Sequence, residues 1–257
     1  MYIKIDHITK QYSTKGGSFT ALSDVSLEVE KGEFVCLLGF SGCGKSTLLN
    51  IMAGFESPSE GTVTIDGNTV RKPSPRYVTI FQQYGLLPWR TVLGNVQLGL
   101  ESLGMSRAEC KKTARHYLTL VGLEDQENHY PCQLSGGQMQ RVSIARSLAV
   151  KPEVLFMDEP FGALDPIIRN RLQVDLLNIV RQTGCTVIFV THDIEEAVFL
   201  SNRIVVMAPN PGRVKSILSN RLSYPRERSS TPFSDLRNYV YNELLSIEHE
   251  KEVDYVI

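Results

Sequence analysis

The chain has 257 residues, 42% of them hydrophobic, and its 27 basic and 28 acidic residues leave a formal net charge of -1. That length and apolar content allow one large α/β domain or two small ones, and the neutral balance excludes a global field that would draw nucleic acid or an anionic membrane surface. There is no uninterrupted apolar run near the roughly 18 residues of a membrane span, and residues 1–6 lack the basic-then-apolar order of a signal peptide, so a cytosolic chain is expected.

Taken in chain order, alternating Val25, Leu27 and Val29 predict a strand with one buried face, followed by a Lys31-Gly32-Glu33 turn and a run over 34–38 that reads as buried on both sides. Next comes Gly39-Phe40-Ser41-Gly42-Cys43-Gly44-Lys45-Ser46, which fits G-x-x-x-x-G-K-[ST] and leads into a helix-like segment over 46–53. A strand, a glycine-rich loop and a helix in that order aim successive backbone N–H groups and the positive helix end at one point, where a polyphosphate can sit. Lys45 would reach the terminal phosphates, and Ser46 would offer its hydroxyl to Mg²⁺.

Short strands are expected at 62–65, 78–81, 154–157, 186–190 and 203–207, several as the near-continuous apolar runs of parallel central strands. Between Leu86 and Leu148 helical spacing takes over, through Val92, Val96 and Leu100 and then Ala114, Leu118 and Val121, which predicts a helical lobe inserted into an α/β core. Within it, Leu134-Ser135-Gly136-Gly137-Gln138 opens a helix that runs through Val142, Ala145, Leu148 and Ala149. Ser135 and Gln138 have capping-box spacing, and the two glycines would also let backbone N–H groups approach an anion.

The strand over 154–157 ends in Asp158-Glu159. Such a pair can be a solvated strand end, or in a phosphoryl-transfer site Asp158 can hold Mg²⁺ while Glu159 acts as general base toward water. Asp165-Pro166 has the form of a helix start. His192 follows the run over 187–191, at the strand end where open α/β sheets bind ligands, although beside Asp193 it also fits a helix N-terminus. Beyond about 219 the chain turns polar and then predicts one amphipathic helix through Phe233, Leu236, Val240 and Leu244. Five scattered cysteines without a Cys-x-x-Cys pair read as reduced thiols, with Cys43 a small packed residue of the loop.

The ordered set of phosphate loop, Gln82, Leu-Ser-Gly-Gly-Gln, Asp158-Glu159, Ala163-Leu164-Asp165 and His192 resembles the ATPase subunits of ABC transporters, over about residues 1–218. The resemblance implies a P-loop (RecA-like) core, an N-terminal antiparallel β subdomain and a helical subdomain inserted at about 86–149, with 219–257 a short tail. It implies nucleotide binding by Tyr12, stacked on adenine, and by Gly39, Phe40, Ser41, Gly42, Cys43, Gly44, Lys45, Ser46 and Thr47. Glu159, His192 and Gln82 would be catalytic, and Ser46, Gln82 and Asp158 would hold Mg²⁺. Leu134, Ser135, Gly136, Gly137 and Gln138 would complete the ATP site of the opposite subunit in a head-to-tail homodimer, with Asp165 at the dimer interface.

Phe161 after Pro160 is similar to the importer branch, and Leu86-Leu87-Pro88-Trp89-Arg90-Thr91-Val92 with Pro211-Gly212-Arg213-Val214 is similar to the nitrate, sulfonate and taurine uptake group. The implied partners are membrane permease subunits and, indirectly, an extracytoplasmic solute-binding protein, with no nucleic acid, and the implied location is the cytoplasmic face of the membrane. Tyr84, Leu86, Leu87 and Trp89 are expected either to dock a permease helix or to pack on their own lobe. A soluble ATPase acting on nucleic acid or ribosomes and an exporter ATPase are the alternatives.

Overall fold

The computed structural model describes residues 1–14, 17–81, 84–162 and 164–254. In chain order it has β1 (Ile3–Thr14), β2 (Gly17–Val29), β3 (Phe34–Leu38), α1 (Lys45–Ala53), β4 (Glu60–Ile65), β5 (Asn68–Thr69) and β6 (Tyr77–Ile80). There follow α2 (Val92–Ser102), α3 (Arg107–Leu120), α4 (Gly136–Ala149), β7 (Val154–Asp158), α5 (Pro166–Thr183), β8 (Thr186–Thr191), α6 (Ile194–Leu200), β9 (Arg203–Ala208), β10 (Arg213–Ser219) and α7 (Thr231–Asp254). The residues group into two units, Met1–Ser74 with Thr186–Ile257, and Pro75–Cys185.

In the first unit an antiparallel sheet has the order β2-β1-β4-β5. Val25, Leu27 and Val29 turn one face of β2 inward, as their alternation predicts. Beside this sheet in sequence, β3 is flanked in parallel by β8 and β9, and β10 pairs antiparallel with β9. Every residue of β3 and β8 is buried, and both carry a continuous apolar run, Phe34 to Leu38 in β3 and Val187 to Val190 between the terminal threonines of β8. Phe34 and Phe189, on these adjacent strands, bring their ring centroids to 5.8 Å. In α7, Phe233, Val240 and Leu244 are buried, and Ile247 extends the same stripe.

In the second unit β6 and β7 pair in parallel, Tyr77 opposite Val154. Helices α2, α3 and α4 pack on one another through Val92, Val96, Leu100, Ala114, Leu118, Val142 and Ala145. The fold class is the expected one, an α/β P-loop core with an antiparallel β subdomain and a helical subdomain.

Three strands escaped the sequence reading, among them the two-residue β5, which has no room for an alternating pattern. β1 mixes polar and apolar residues and shifts register against β2 after Ile5, Ile8 and Lys10, so its alternation is broken. β10 is an edge strand that buries only Leu218. Among the described residues no helix is long and apolar enough to cross a membrane.

Candidate functional site

The turn from β3 to α1 places a glycine at the helix N-cap: Gly44 has φ 89°, in the left-handed region that favours glycine, and no side chain caps the helix. Each of α2 to α6 begins differently, on a side-chain acceptor supplied by Thr91, Ser106, Ser135, Asp165 or Asp193. The first amides of α1 therefore lack the acceptor that the other helix starts carry, and they keep the positive end of the helix for an anion.

Lys45 is only 5% exposed, and its Nζ donates to the carbonyls of Gly39 at 2.7 Å and Phe40 at 3.0 Å. The ammonium thus lies folded over the loop that a phosphate would enter. Cys43 is buried with Sγ 3.8 Å from Lys45 Nζ, and burial pushes its thiol up, so it packs rather than reacts. Ser46 is exposed on the first turn of α1, where its hydroxyl can meet a metal or a phosphate.

Tyr12 is half-buried on β1, and partial burial together with Glu56 raises its phenol above the usual value. Lys10 Nζ lies 4.9 Å from the Tyr12 ring centroid and pairs with Glu56 at 3.0 Å. Lys10 thus links the Tyr12 ring to Glu56, just beyond the C-terminal end of α1.

At the end of β8, His192 is exposed between two anchored neighbours. The Thr191 hydroxyl donates to Glu196 Oε2 at 2.6 Å and accepts from the Asp193 N–H at 3.0 Å, while the Asp193 carboxylate caps α6 by accepting from the Glu195 and Glu196 amides. Both readings of His192, strand end and helix start, hold together.

In the second unit β7 carries Asp158 to its last position, half-buried. Glu159 follows at φ 45°, a left-handed conformation unusual for glutamate, which turns the chain sharply after the strand and costs on the order of 1 kcal/mol or more. Ser135 and Gln138 form the expected capping box at α4: Ser135 N–H donates to Gln138 Oε1 at 2.8 Å, and Gln138 N–H to Ser135 Oγ at 3.3 Å. A Cβ on Gly136 would lie 2.7 Å from the Tyr84 hydroxyl and one on Gly137 3.1 Å from Leu164 Cδ2, so a larger residue at either place would have to displace the facing side chain. Leu134 is half-buried. Asp165 caps α5 by accepting from the Ile168 amide at 3.0 Å, with Pro166 at the first helical position.

Gln82, expected to be catalytic and to touch the metal, lies outside the described residues. Of the other donors expected for Mg²⁺, Ser46 is exposed on α1 in the first unit and Asp158 is half-buried at the end of β7 in the second, and each offers the oxygen that a hard cation takes. Among the described residues no cluster of three or more His, Cys, Asp or Glu side chains converges as a self-sufficient metal site.

Two contributors stand outside the expected site: Asn95, which the sequence did not single out, and Gly212, noted only as part of the 211–214 segment. Gly212 exchanges backbone hydrogen bonds with Ala21 and Ser23, and a Cβ on it would lie 2.5 Å from the carbonyl of Cys43, so it packs directly beneath the phosphate loop. Asn95 is fully buried, and its carboxamide bonds the backbone of Leu87, Arg90 and Thr91. That clasp holds the short loop that presents Trp89, whose side chain is 72% exposed rather than packed on its own lobe. A lone asparagine inside a helix carries no sequence pattern that would betray such a role.

A profile of the ABC transporter family matches residues 22–162. The aliphatic sulfonates import ATP-binding protein SsuB of Bacillus thuringiensis is 44% identical over 97% of this chain and 97% of its own length. The bicarbonate transport ATP-binding protein CmpD of Synechocystis is 44% identical over 93% of this chain and 87% of its own length. Among solved structures, the dimeric post-hydrolysis ATP-binding cassette MJ0796 bound to ADP and Pi is 37% identical and matches with a TM-score of 0.79, covering 86% of this chain and all of that one.

Proposed function

The chain belongs to the ABC transporter family as an ATP-hydrolysing subunit, and from that membership we propose that it energises the import of a small anion through permease subunits in the membrane. The observation that carries the nucleotide role is the α1 start: a glycine N-cap without a side-chain acceptor, covered by the buried ammonium of Lys45. A polyphosphate arriving there supplies the anion that the helix end lacks and competes with the Gly39 and Phe40 carbonyls for Lys45.

Residues 39–47 bind the phosphates and Tyr12 stacks on the adenine. Ser46, Asp158 and Gln82 would hold Mg²⁺, which when bound neutralises phosphate charge. Glu159 accepts the proton of the attacking water, and His192 orients the γ-phosphate. Residues 134–138 act on the nucleotide of a second copy, with Asp165 at the interface, so that two ATP molecules close a homodimer over residues 1–218 of each chain. Binding of ATP favours the closed state and hydrolysis reopens it.

The solute class rests on the relatives. The names of SsuB and CmpD state transport of sulfonates and bicarbonate, and the resemblance of 86–92 and 211–214 extends to nitrate and taurine uptake. All are small molecules with an anionic group. Recognition of the solute would belong to a permease and a solute-binding protein, with this chain at the cytoplasmic face of the membrane.

Mass spectrometry of what co-purifies with tagged Glu159→Gln protein from gently solubilised native membranes in ATP tests this. A small permease recovered with a solute-binding protein supports import. Recovery of only soluble, nucleic-acid-linked partners contradicts it and leaves the ATPase chemistry standing.

A further inference from the structure

The four carbonyls at the C-terminal end of an α-helix have no partner within the helix. In α6, the seven-residue helix that starts two residues after His192, the chain's own tail supplies partners for three of them. The Ala197 carbonyl accepts locally, from the Ser201 N–H at 3.2 Å and hydroxyl at 2.7 Å. The Val198 carbonyl accepts from Asn220 Nδ2 at 2.7 Å and Arg226 Nη1 at 3.0 Å. The Phe199 carbonyl accepts from Arg226 Nη1 at 2.9 Å, and that of Leu200 from the Tyr224 hydroxyl at 2.9 Å.

Arg226 is the centre of this arrangement. It is 7% exposed, its Nη1 also donates to the Ser201 carbonyl at 2.8 Å, and its Nε donates to Leu222 O at 3.2 Å. The guanidinium lies 4.1 Å from the Tyr224 ring centroid. A buried cation is costly unless it is compensated, and here the negative end of a helix, several carbonyl oxygens and an aromatic face compensate it. Two further tail cations hold the same helix: Arg228 lies 3.7 Å from the Phe199 ring centroid, and Arg237 pairs with Glu195 at 3.2 Å.

A helix this short has no independent stability, so its direction follows from how its two ends are held. The N-terminal end is joined to β8 through Thr191, Asp193 and Glu196. The C-terminal end is held by residues 220–226. We propose that Asn220, Tyr224 and Arg226 are positioning residues for His192, acting through α6, so that the tail sets the rate of hydrolysis rather than the affinity for ATP. This role rests on the reading of His192 as the group that orients the γ-phosphate.

The test compares Arg226→Ala with the unchanged full chain, in the native and in the His192→Ala background, by single-turnover ATP hydrolysis and by equilibrium ATP binding. Arg226→Ala is expected to slow turnover about 10-fold with ATP affinity within about twofold, and to cause no further slowing in the His192→Ala background, because both changes remove one positioning effect. Equal slowing in both backgrounds, a loss confined to ATP affinity, or an unchanged rate overturns the proposal.

Should Arg226→Ala not fold, Tyr224→Phe deletes the hydroxyl that donates to the Leu200 carbonyl while keeping the ring. It is then expected to slow turnover about threefold in the native background alone, and an unchanged rate, or equal slowing in both backgrounds, is the contrary result. An unchanged rate in His192→Ala overturns the histidine's own role and this one with it. Normal loss in His192→Ala beside unaffected tail variants overturns the tail's role alone.

Discussion

The Asn95 side chain clasps Leu87 on both sides of the residue, its Oδ1 accepting from the Leu87 N–H at 2.8 Å and its Nδ2 donating to the Leu87 carbonyl at 3.1 Å. Two further bonds to the carbonyls of Arg90 and Thr91 close the loop around it. Trp89 is thereby held outward on a rigid turn.

This predicts different outcomes for two substitutions in one loop. Trp89→Ala removes an exposed side chain and leaves the melting temperature and basal ATPase close to unchanged, while permease assembly weakens. Asn95→Ala removes four side-chain bonds to the backbone, where the Leu87 and Thr91 carbonyls keep the N–H groups of Arg90 and residue 95, and costs on the order of 1–3 kcal/mol of stability. Thermal melts of the two variants with a pull-down against the permease separate them.

Lys45→Ala removes the ammonium meant for the terminal phosphates. Charge-assisted contacts of about 1.5–3 kcal/mol predict an ATP affinity lowered by roughly 10- to 100-fold. Isothermal titration with ATP measures it, and unchanged affinity contradicts the loop's assignment.

Gly212→Ala places a methyl group 2.5 Å from Cys43 O and 2.6 Å from Ala21 O, both rigid backbone atoms. Overpacking of this kind costs about 1–3 kcal/mol. The expected result is a lower melting temperature together with weaker ATP binding, because the strain falls directly under the phosphate loop.

His7 and Asp24 form an exposed pair at 2.6 Å on the antiparallel sheet, and the Asp24 hydrogen bond and charge raise the imidazole above 6.5. With the folded pKa above the unfolded one, the pair's contribution is fully present below about pH 6.5 and is lost as pH rises through the folded value. NMR titration of His7 should show the raised midpoint, and Asp24→Asn should bring it down toward the ordinary value.

These residues also show what the sequence could reveal. The phosphate loop, the capping box at Ser135 and Gln138, and the helix start at Asp165 are local patterns, each complete within a few positions, and the structure realises each of those turns as expected. Buried strands such as β8 were equally plain because the residues between its two terminal threonines, Val187 to Val190, are all apolar. What stayed hidden is long-range. Arg226 reaches carbonyls 25 to 28 positions away, Gly212 fits under Cys43, and β1 bends through register shifts. None of these leaves a periodic trace, since backbone carbonyls and close approaches select no residue type at the far end.

Glu159, held at positive φ immediately after β7, is the proposed general base through which this chain hydrolyses ATP. Steady-state ATPase rates of the purified chain and of Glu159→Gln, with ATP binding measured in parallel, test it most directly. The predicted result is a rate lower by about 10² to 10⁴ with ATP binding retained and an ATP-dependent dimer in gel filtration. A Glu159→Gln protein that turns over ATP at the unmutated rate would contradict the claim.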